Sequence, residues 1–258
     1  MEYTGTLLRW VGCFSRVAGL FFSARLVPFV RVFAILLLSI SVSAQESGSF
    51  GSSGFFSSEI TYVKIPKTME VKVLRTIDFA LNKATASQIC KLSKAVVCIN
   101  ASFFDENNKP LGLLITRGLA LQNLHAGGNT LTGIFAKTKD GFFISGRKNL
   151  SLKSALEAIQ AGPRLFSKGN LVEGVHPLSS RKQSGVCVDK QGDAVFYLVR
   201  SGIFGTSLEW LSDQFKKLDC VEALNLDGGG SSQMYIEGGA SIEGDYSVPI
   251  FLGVFAGL

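Results

Sequence analysis

The chain has 258 residues, of which 47% are hydrophobic and 18% charged, a globular composition that excludes an intrinsically disordered protein. This length predicts one large domain or two small ones, with enough residues to bury a core. The net charge is +6, and half of it comes from residues 1–44. No run alternates Lys and Arg with aromatic residues, so the charge does not point to nucleic-acid binding.

Residues 1–44 are predicted to be a targeting segment outside the fold. Arg25 and Arg31 flank the start of an apolar run, and Val42 and Ala44 approximate a signal-peptidase site after residue 44. The run is shorter than the roughly 20 residues of a membrane span. We therefore expect a cleaved signal peptide and a periplasmic or secreted protein, with contact to the membrane only if this leader stays uncleaved.

Residues 45–58 are rich in Gly and Ser, which predicts a flexible linker before a domain at 59–258. A short helix is expected over residues 85–92, with Thr85 or Ser87 as its N-cap. Alternating or continuous apolar patterns predict strands in the first half of the domain at residues 61–65, 71–77, 95–99, 111–116, 132–137 and 141–145.

In the second half, apolar residues at helical spacing predict a helix over residues 151–160, with Ser151 as its N-cap, and another over 207–218. The turn at 189–193 predicts a hairpin. Strands are expected at residues 185–188, 194–199, 221–226, 233–236 and 248–255. Strands outnumber helices, which favours a single α+β domain of mostly antiparallel mixed sheets with a few helices packed on them.

Four cysteines follow the leader: Cys90, Cys98, Cys187 and Cys220. Four cysteines allow three disulfide pairings, among which a sequence cannot choose. Because Cys98 and Cys187 lie in apolar runs typical of strands, we expect buried free thiols for at least two of the four.

The strongest candidate for a functional site is the segment 225–232. A predicted strand delivers Asn225 and Asp227 to the same face, and three glycines, Gly228, Gly229 and Gly230, then allow a tight turn. Exposed N–H groups of such a turn can bind an anion, and Ser231 and Ser232 add hydroxyl donors. The alternative is an ordinary glycine-rich turn that the Asp227 side chain caps.

Three further segments carry polar groups near the ends of predicted elements. Asn100 and Asp105 follow a buried strand, and two strand ends with carboxylates suit acid–base chemistry on a glycosidic bond. Arg164 follows Gly162–Pro163, and Arg181 precedes a strand; an Arg side chain matches the geometry of a phosphate. The alternatives are an Asx-turn at Asp105 and simple surface arginines.

In this order, the four segments resemble the phosphodiester glycosidase family. The matching stretches are Asn100–Asp105, Gln160–Leu165, Arg181 with Gly185 and Gly192, and Asn225–Ser232. Where many members have Arg-Thr-Ala or Arg-His-Ala, this chain has Arg181–Lys182–Gln183–Ser184.

The resemblance implies hydrolysis of a sugar-1-phosphodiester, similar to N-acetylglucosamine-1-phosphodiester, in a cell-envelope or extracellular glycan. Asp227, Asp105, Asn100 and Asn225 would be the catalytic group, with Arg164, Arg181 and the glycine turn binding the phosphate. No cofactor is certain, although Asp227, Asp105 and Asn225 offer oxygen ligands for Ca²⁺ or Mg²⁺. Two alternatives are a non-catalytic periplasmic binder of phosphorylated glycans and a phosphodiesterase that cuts the P–O bond.

Overall fold

The structure is a computed structural model that describes residues 46–51, 54, 57–148, 152, 154–176 and 182–257. The expected leader at 1–44, the predicted N-cap Ser151 and the candidate Arg181 lie outside these residues. The described residues belong to one compact unit. Neither of its two α-helices is long and apolar enough to cross a bilayer.

The described part of the chain contains seventeen strands, two α-helices and two short 3₁₀ turns. The strands are β1 (Ser47–Gly51), β2 (Glu59–Ile65), β3 (Glu70–Arg75), β4 (Val97–Asn100), β5 (Leu114–Thr116), β6 (Leu119–Gln122), β7 (Gly133–Thr138), β8 (Gly141–Gly146), β9 (Glu157–Ala161), β10 (Arg164–Ser167), β11 (Asn170–Leu171), β12 (Lys182–Asp189), β13 (Ala194–Arg200), β14 (Cys220–Asn225), β15 (Met234–Ile236), β16 (Ser241–Ile242) and β17 (Ile250–Phe255). The helices are α1 (Ala86–Ser93) and α2 (Leu208–Lys217), and the 3₁₀ turns are Thr76–Phe79 and Gly229–Ser231.

The strands form three sheets, and every strand pairing in the described residues is antiparallel. The strand orders are β1-β2-β13-β12-β14-β10-β11, β16-β15-β4-β17-β3 and β6-β5-β9-β7-β8. One apolar core joins all three sheets, with members such as Val63, Ile99 and Phe135. The predicted single domain of mostly antiparallel sheet agrees with this architecture, although sheet dominates it more than the α+β class suggests.

The two helices form where the sequence places their caps, and each covers the outer face of a sheet. Thr85 caps α1 in a reciprocal capping box with Gln88, and the Ser207 side chain accepts from the N–H of Trp210 at the start of α2. Helix α1 packs on the sheet that contains β4, and α2 packs through Phe215 on the seven-stranded sheet. Both sequence predictions are confirmed.

The predicted helix over residues 151–160 is wrong, because residues 157–161 form strand β9. This strand lies between β5 and β7, and all five of its residues are buried. A short apolar run that is covered on both faces has the same sequence pattern as one face of a helix. Pairing with two neighbouring strands outweighs the helical spacing here.

The expected flexible linker is also corrected in part, because residues 47–51 form β1. This strand pairs with β2 along its whole length, from Ser47 opposite Val63 to Gly51 opposite Glu59. The Phe50 ring stacks on the ring of Tyr62, with centroids 5.1 Å apart. An aromatic residue and an open sheet edge thus order a segment whose Gly and Ser content predicts a random coil.

The expectation of free thiols is wrong, because the four described cysteines form the disulfides Cys90–Cys98 and Cys187–Cys220. The first joins α1 to β4, and the second joins β12 to its neighbour β14. The apolar surroundings of Cys98 and Cys187 were correctly recognised, but a buried thiol and a buried disulfide have the same sequence environment. Only the three-dimensional pairing separates them.

One buried side chain, that of Gln160 in β9, fastens a long surface loop. Its Oε1 atom accepts from the N–H groups of Leu113 and His125, at 3.0 and 2.9 Å. Its Nε2 atom donates to the carbonyls of His125 and Leu131, at 2.8 and 2.9 Å. All four partners are backbone groups, so the Gln160 side chain holds both ends of the exposed segment between residues 125 and 131.

Candidate active site

The ends of β4 and β14 meet although the two strands belong to different sheets. Beyond β14, the N–H of Leu226 still bonds to the carbonyl of Ser184 in the seven-stranded sheet, at 2.9 Å. The next N–H, that of Asp227, bonds to the carbonyl of Ala101 just beyond β4, at 3.0 Å. The chain thus crosses from one sheet to another at Asp227, and two of the predicted functional segments become neighbours.

The side chain of Asn100 braces the glycine turn at both ends. Its Nδ2 donates to the carbonyl of Asp227 at 2.7 Å, and its Oδ1 accepts from the N–H of Gln233 at 3.0 Å. Asn100 is 1% exposed and therefore touches the turn from inside the protein. Instead of the predicted catalytic role, the structure gives Asn100 a positioning role, because both ends of its amide bond to the backbone.

Asp227 is the ionisable group of this turn. Its carboxylate is hydrogen-bonded to the Ser231 hydroxyl and to the N–H of Gly228. Burial raises the pKa of this carboxyl above its ordinary value, and the two hydrogen bonds lower the pKa by less. A half-buried carboxyl with a raised pKa is a recurrent feature of groups that exchange protons in catalysis.

The three glycines have different reasons to be glycine. Gly229 has φ of 61°, in the left-handed region that disfavours side chains. At Gly230, a Cβ atom would lie 2.4 Å from the ring of Tyr246, so only glycine permits this contact. Gly228, Gly229 and Gly230 are all partly exposed, as expected of a turn that faces a ligand.

The two serines of the turn are turned inward. The N–H groups of Ser231 and Ser232 bond to the carbonyls of Gly228 and Gly229, at 3.3 and 3.1 Å. Ser232 is fully buried, and its hydroxyl has no partner in the described part of the chain. The expectation that both hydroxyls bind substrate is therefore corrected, because Ser231 serves the Asp227 carboxylate and Ser232 belongs to the interior.

A second loop, residues 243–246, covers the glycine turn and was missed by the sequence analysis. The carbonyl of Gly230 accepts from the N–H of Asp245 at 2.8 Å. The ammonium of Lys182, at the start of β12, pairs with the carboxylate of Asp245 and donates to the carbonyl of Glu243 at 3.4 Å. Lys182 had one signal in the sequence, its place directly after Arg181, and Tyr246 had none.

Asn225 lies below the turn, with its side chain in the protein interior. Its Nδ2 donates to the carbonyl of Leu226 at 2.9 Å, whereas its Oδ1 has no partner among the described residues. Asn225 is 6% exposed, so the structure favours support of the turn over the predicted catalytic role.

Gly185 lies opposite both Asn225 and Tyr197 in the sheet, and a Cβ at Gly185 would lie 2.1 Å from the Tyr197 hydroxyl. That buried hydroxyl is also without a partner in the described part of the chain.

The Asp105 carboxylate closes its own loop instead of joining Asp227. Its Oδ1 accepts from the N–H groups of Asn107 and Lys109, at 2.9 and 2.8 Å. Its backbone N–H bonds to the carbonyl of Lys109, at 2.9 Å. The alternative of an Asx-turn is correct here, and the catalytic pairing of Asp105 with Asp227 stays a prediction.

The guanidinium of Arg164 is paired inside the seven-stranded sheet. It bonds to Glu222 through Nε at 3.1 Å, and to the Ser167 hydroxyl through Nη2 at 2.7 Å. In the sheet, Arg164 lies opposite Leu224, which precedes Asp227 by three residues. The expectation that Arg164 binds the substrate phosphate stays a prediction, with Glu222 as its partner in this structure.

A Ca²⁺ or Mg²⁺ ion held by Asp227, Asp105 and Asn225 stays a prediction. Asp105 Oδ1 accepts two N–H groups of its own loop, whereas Asn225 Oδ1 has no partner among the described residues. Within the described ranges, no three His, Cys, Asp or Glu side chains are grouped to hold a metal ion.

Comparison with known proteins now gives the arrangement a context. The family model described as phosphodiester glycosidase matches residues 93–255, a range that contains β4, the glycine turn and the loop that covers it. Comparison with curated protein sequences gives no match.

Two solved structures resemble the fold. The first is the catalytic domain of zebrafish N-acetylglucosamine-1-phosphodiester alpha-N-acetylglucosaminidase, auto-inhibited by its pro-peptide. It has a TM-score of 0.64 and 21% sequence identity, with 84% of this chain and 85% of that chain covered. The second is a hypothetical protein from Synechocystis, with a TM-score of 0.55 and 17% identity, covering 83% of this chain and 61% of that one.

Proposed function

Because this chain belongs to the phosphodiester glycosidase family and is a hydrolase of the glycosidase type, we propose that it hydrolyses a sugar-1-phosphodiester at Asp227. The observation that carries the proposal is the position of this carboxylate. It is half-buried on a glycine turn where two strand ends meet, and its pKa is raised.

The proposed reaction breaks the bond between the anomeric carbon and the bridging oxygen. A water molecule supplies its oxygen to the anomeric carbon, and one water proton passes to the ionised Asp227. The bridging oxygen leaves with the phosphate as a phosphate monoester. Positive charge develops on the sugar during this step, and the same carboxylate stabilises that charge.

A single carboxylate is sufficient for this chemistry. Glycosidases that expel an alcohol need a second carboxyl group to protonate the leaving oxygen. A phosphate monoester is a much weaker base than an alkoxide, so it leaves without that proton. The use of Asp105 in its own loop is therefore compatible with glycosidase activity in this chain.

The leaving phosphate carries negative charge and needs a cationic neighbour. Lys182 lies beside the glycine turn, although its ammonium also pairs with the Asp245 carboxylate, as the Arg164 guanidinium pairs with Glu222. Arg164 and Arg181 remain the predicted phosphate-binding cations.

For the substrate we propose an N-acetylglucosamine-1-phosphodiester or a related sugar-1-phosphodiester of a cell-envelope or extracellular glycan. Support comes from the family description and from the fold shared with the zebrafish catalytic domain, whose name states that chemistry. The sugar and the group beyond the phosphate are to be identified by a substrate screen.

We also propose that the protein works outside the cytoplasm. Two disulfides join pairs of elements in the described residues, and stable disulfides are typical of exported proteins. The sequence pattern of residues 1–44 supports the same location. Fractionation of the native host, together with thiol counting before and after reduction, tests it; a cytoplasmic protein with four reactive thiols would contradict export.

Hydrolysis in ¹⁸O-labelled water tests the proposed bond cleavage, with UDP-N-acetylglucosamine and methyl N-acetylglucosamine-1-phosphate as first substrates. Label in the released sugar supports cleavage of the C–O bond. Label in the phosphate identifies a phosphodiesterase instead. Binding of both compounds by the wild type with no turnover of any phosphodiester in the screen identifies a binding protein.

A further inference from the structure

Tyr246 is an exposed aromatic residue beside the proposed reacting group. We propose that its ring is the platform on which the sugar of the substrate lies. The proposal rests on the proposed function, because it assigns the sugar-binding residue of the same site. Tyr246 is 54% exposed, although the loop around it is firmly seated.

The contacts of the loop fix the position of the ring. Tyr246 lies directly on Gly230, where any Cβ would overlap the ring. One residue earlier, Asp245 is held through its N–H by the carbonyl of Gly230 and through its carboxylate by Lys182. At Gly244, a Cβ would lie 2.8 Å from both the carbonyl of Gly230 and the Gln233 amide. The ring is therefore held in place before a ligand arrives, which lowers the entropic cost of binding.

Ser231 links the ring to the neighbourhood of the carboxylate. Its Oγ donates to the Tyr246 hydroxyl at 3.4 Å. The same side chain lies within hydrogen-bonding reach of the Asp227 carboxylate. A ligand on the exposed part of the ring would therefore lie close to Asp227.

The exposed part of the ring determines the ligand class. A pyranose has apolar faces of C–H groups and a rim of hydroxyls, and a tyrosine ring with a polar tip matches both. A phosphate or a nucleobase could also approach this surface, but the adjacent Asp245 carboxylate disfavours an anion directly on the ring. A neutral sugar ring on Tyr246 would bring its anomeric carbon towards Asp227, with the phosphate on the side of Lys182.

Two substitutions separate the ring from the hydroxyl. Tyr246→Ala removes the platform, so we expect KM to rise about tenfold with kcat changed less than about threefold. Tyr246→Phe keeps the ring, so KM should stay within about twofold. Leu119→Ala, in the exposed edge strand β6, is the matched control and should change neither quantity.

Binding measurements separate failure of this proposal from failure of the proposed function. We expect saturation-transfer NMR to show contact of N-acetylglucosamine-1-phosphate with the wild type and with Tyr246→Phe, and loss of it in Tyr246→Ala at unchanged circular dichroism. Unchanged KM and unchanged binding in Tyr246→Ala would overturn the platform, even if Asp227 proves essential. Absent turnover with binding that depends on Tyr246 would keep the platform and reject the hydrolase.

Discussion

Two strand ends in this protein carry an asparagine and an aspartate, and they use these residues differently. After β4, Asp105 accepts two N–H groups of its own loop, whereas Asn100 reaches across to the glycine turn. After β14, Asn225 is buried, whereas Asp227 lies half-exposed on the turn with a raised pKa. The end of β4 therefore supports the glycine turn after β14, and that turn carries the ionisable Asp227.

The comparison teaches that similar residues at two strand ends do not make a catalytic pair. A carboxylate has about four acceptor positions, and Asp105 uses two of them for backbone N–H groups of its own loop, which stabilises that loop. A carboxylate whose burial exceeds its hydrogen bonding keeps an unusual pKa that chemistry can use. Four measurements test this division of roles.

The largest effect is expected for Asp227→Asn. The amide cannot accept a proton from water, so kcat should fall about 10²- to 10⁴-fold. Circular dichroism and the melting temperature should remain close to wild type, because the amide occupies the same volume. Asp105→Asn in the same assay is the matched control; an equal loss of kcat in both variants would show that the two carboxylates act together.

The pH dependence should follow the raised pKa of Asp227. As the base, Asp227 must be ionised, so kcat/KM should fall about tenfold per pH unit below that pKa. The free energy of unfolding changes with pH in the opposite direction. Since folding raises the pKa of this carboxyl, its contribution is present below the pKa of the unfolded chain and is lost as pH rises through the folded pKa.

The free energy of unfolding in denaturant is measured for the wild type and for Asp227→Asn at pH values from below the pKa of the unfolded carboxyl to above its pKa in the folded protein. The difference between the two proteins isolates the contribution of Asp227. Burial also raises the pKa of Glu157, but Glu157 is present in both proteins and cancels in the difference. A difference in unfolding free energy that does not change with pH would contradict the raised pKa of Asp227.

An intermediate effect is expected for Asn100→Ala. Loss of its amide leaves the carbonyl of Asp227 and the N–H of Gln233 without this partner, at a cost of about 2–3 kcal/mol in unfolding free energy. The turn is then less fixed, so kcat should fall more than about tenfold. Ser184→Ala removes only one bond to the same carbonyl and should have a smaller effect on both quantities. Equal effects of the two substitutions would show that Asn100 is no more important for the position of the turn than Ser184.

The smallest effect is expected for Asp105→Ala. Two N–H groups on a partly exposed loop lose their acceptor, which should cost about 1 kcal/mol in unfolding free energy. Because Asp105 does not join the turn, kcat and KM should stay within about threefold of wild type. Chemical denaturation and steady-state kinetics measure the two outcomes, and a large rise of KM would place the loop in the substrate site.

Local features of the fold were predictable, because their signals lie within a few neighbouring residues. Thr85 and Ser207 cap helices as their side chains predict, and the alternation on both sides of residues 189–193 gives the hairpin of β12 and β13. Asp227 was also found from the glycines beside it. In each case the residue type is explained by the backbone next to it.

Features that depend on distant partners were not predictable. The charge of Arg164 is neutralised by Glu222, 58 residues away in sequence, and no pattern in either segment records this pairing. Strand β9 was predicted as a helix because its pairing with β5 and β7 is equally non-local. Tyr246 is a further example. Its ring packs on Gly230, and the glycine-rich turn had already explained that glycine, so no pattern pointed to an aromatic neighbour.

The four bonds of Gln160 also have a consequence for how this protein can change. Since the amide recognises only main-chain atoms, the exposed side chains of Ala126, Asn129 and Thr130 can be replaced without loss of these four bonds, whereas Gly128, with φ of 68°, favours glycine. Homologous proteins can therefore diversify this segment by simple substitution, and an engineer can graft a short epitope there. Replacement of the single glutamine would remove that tolerance.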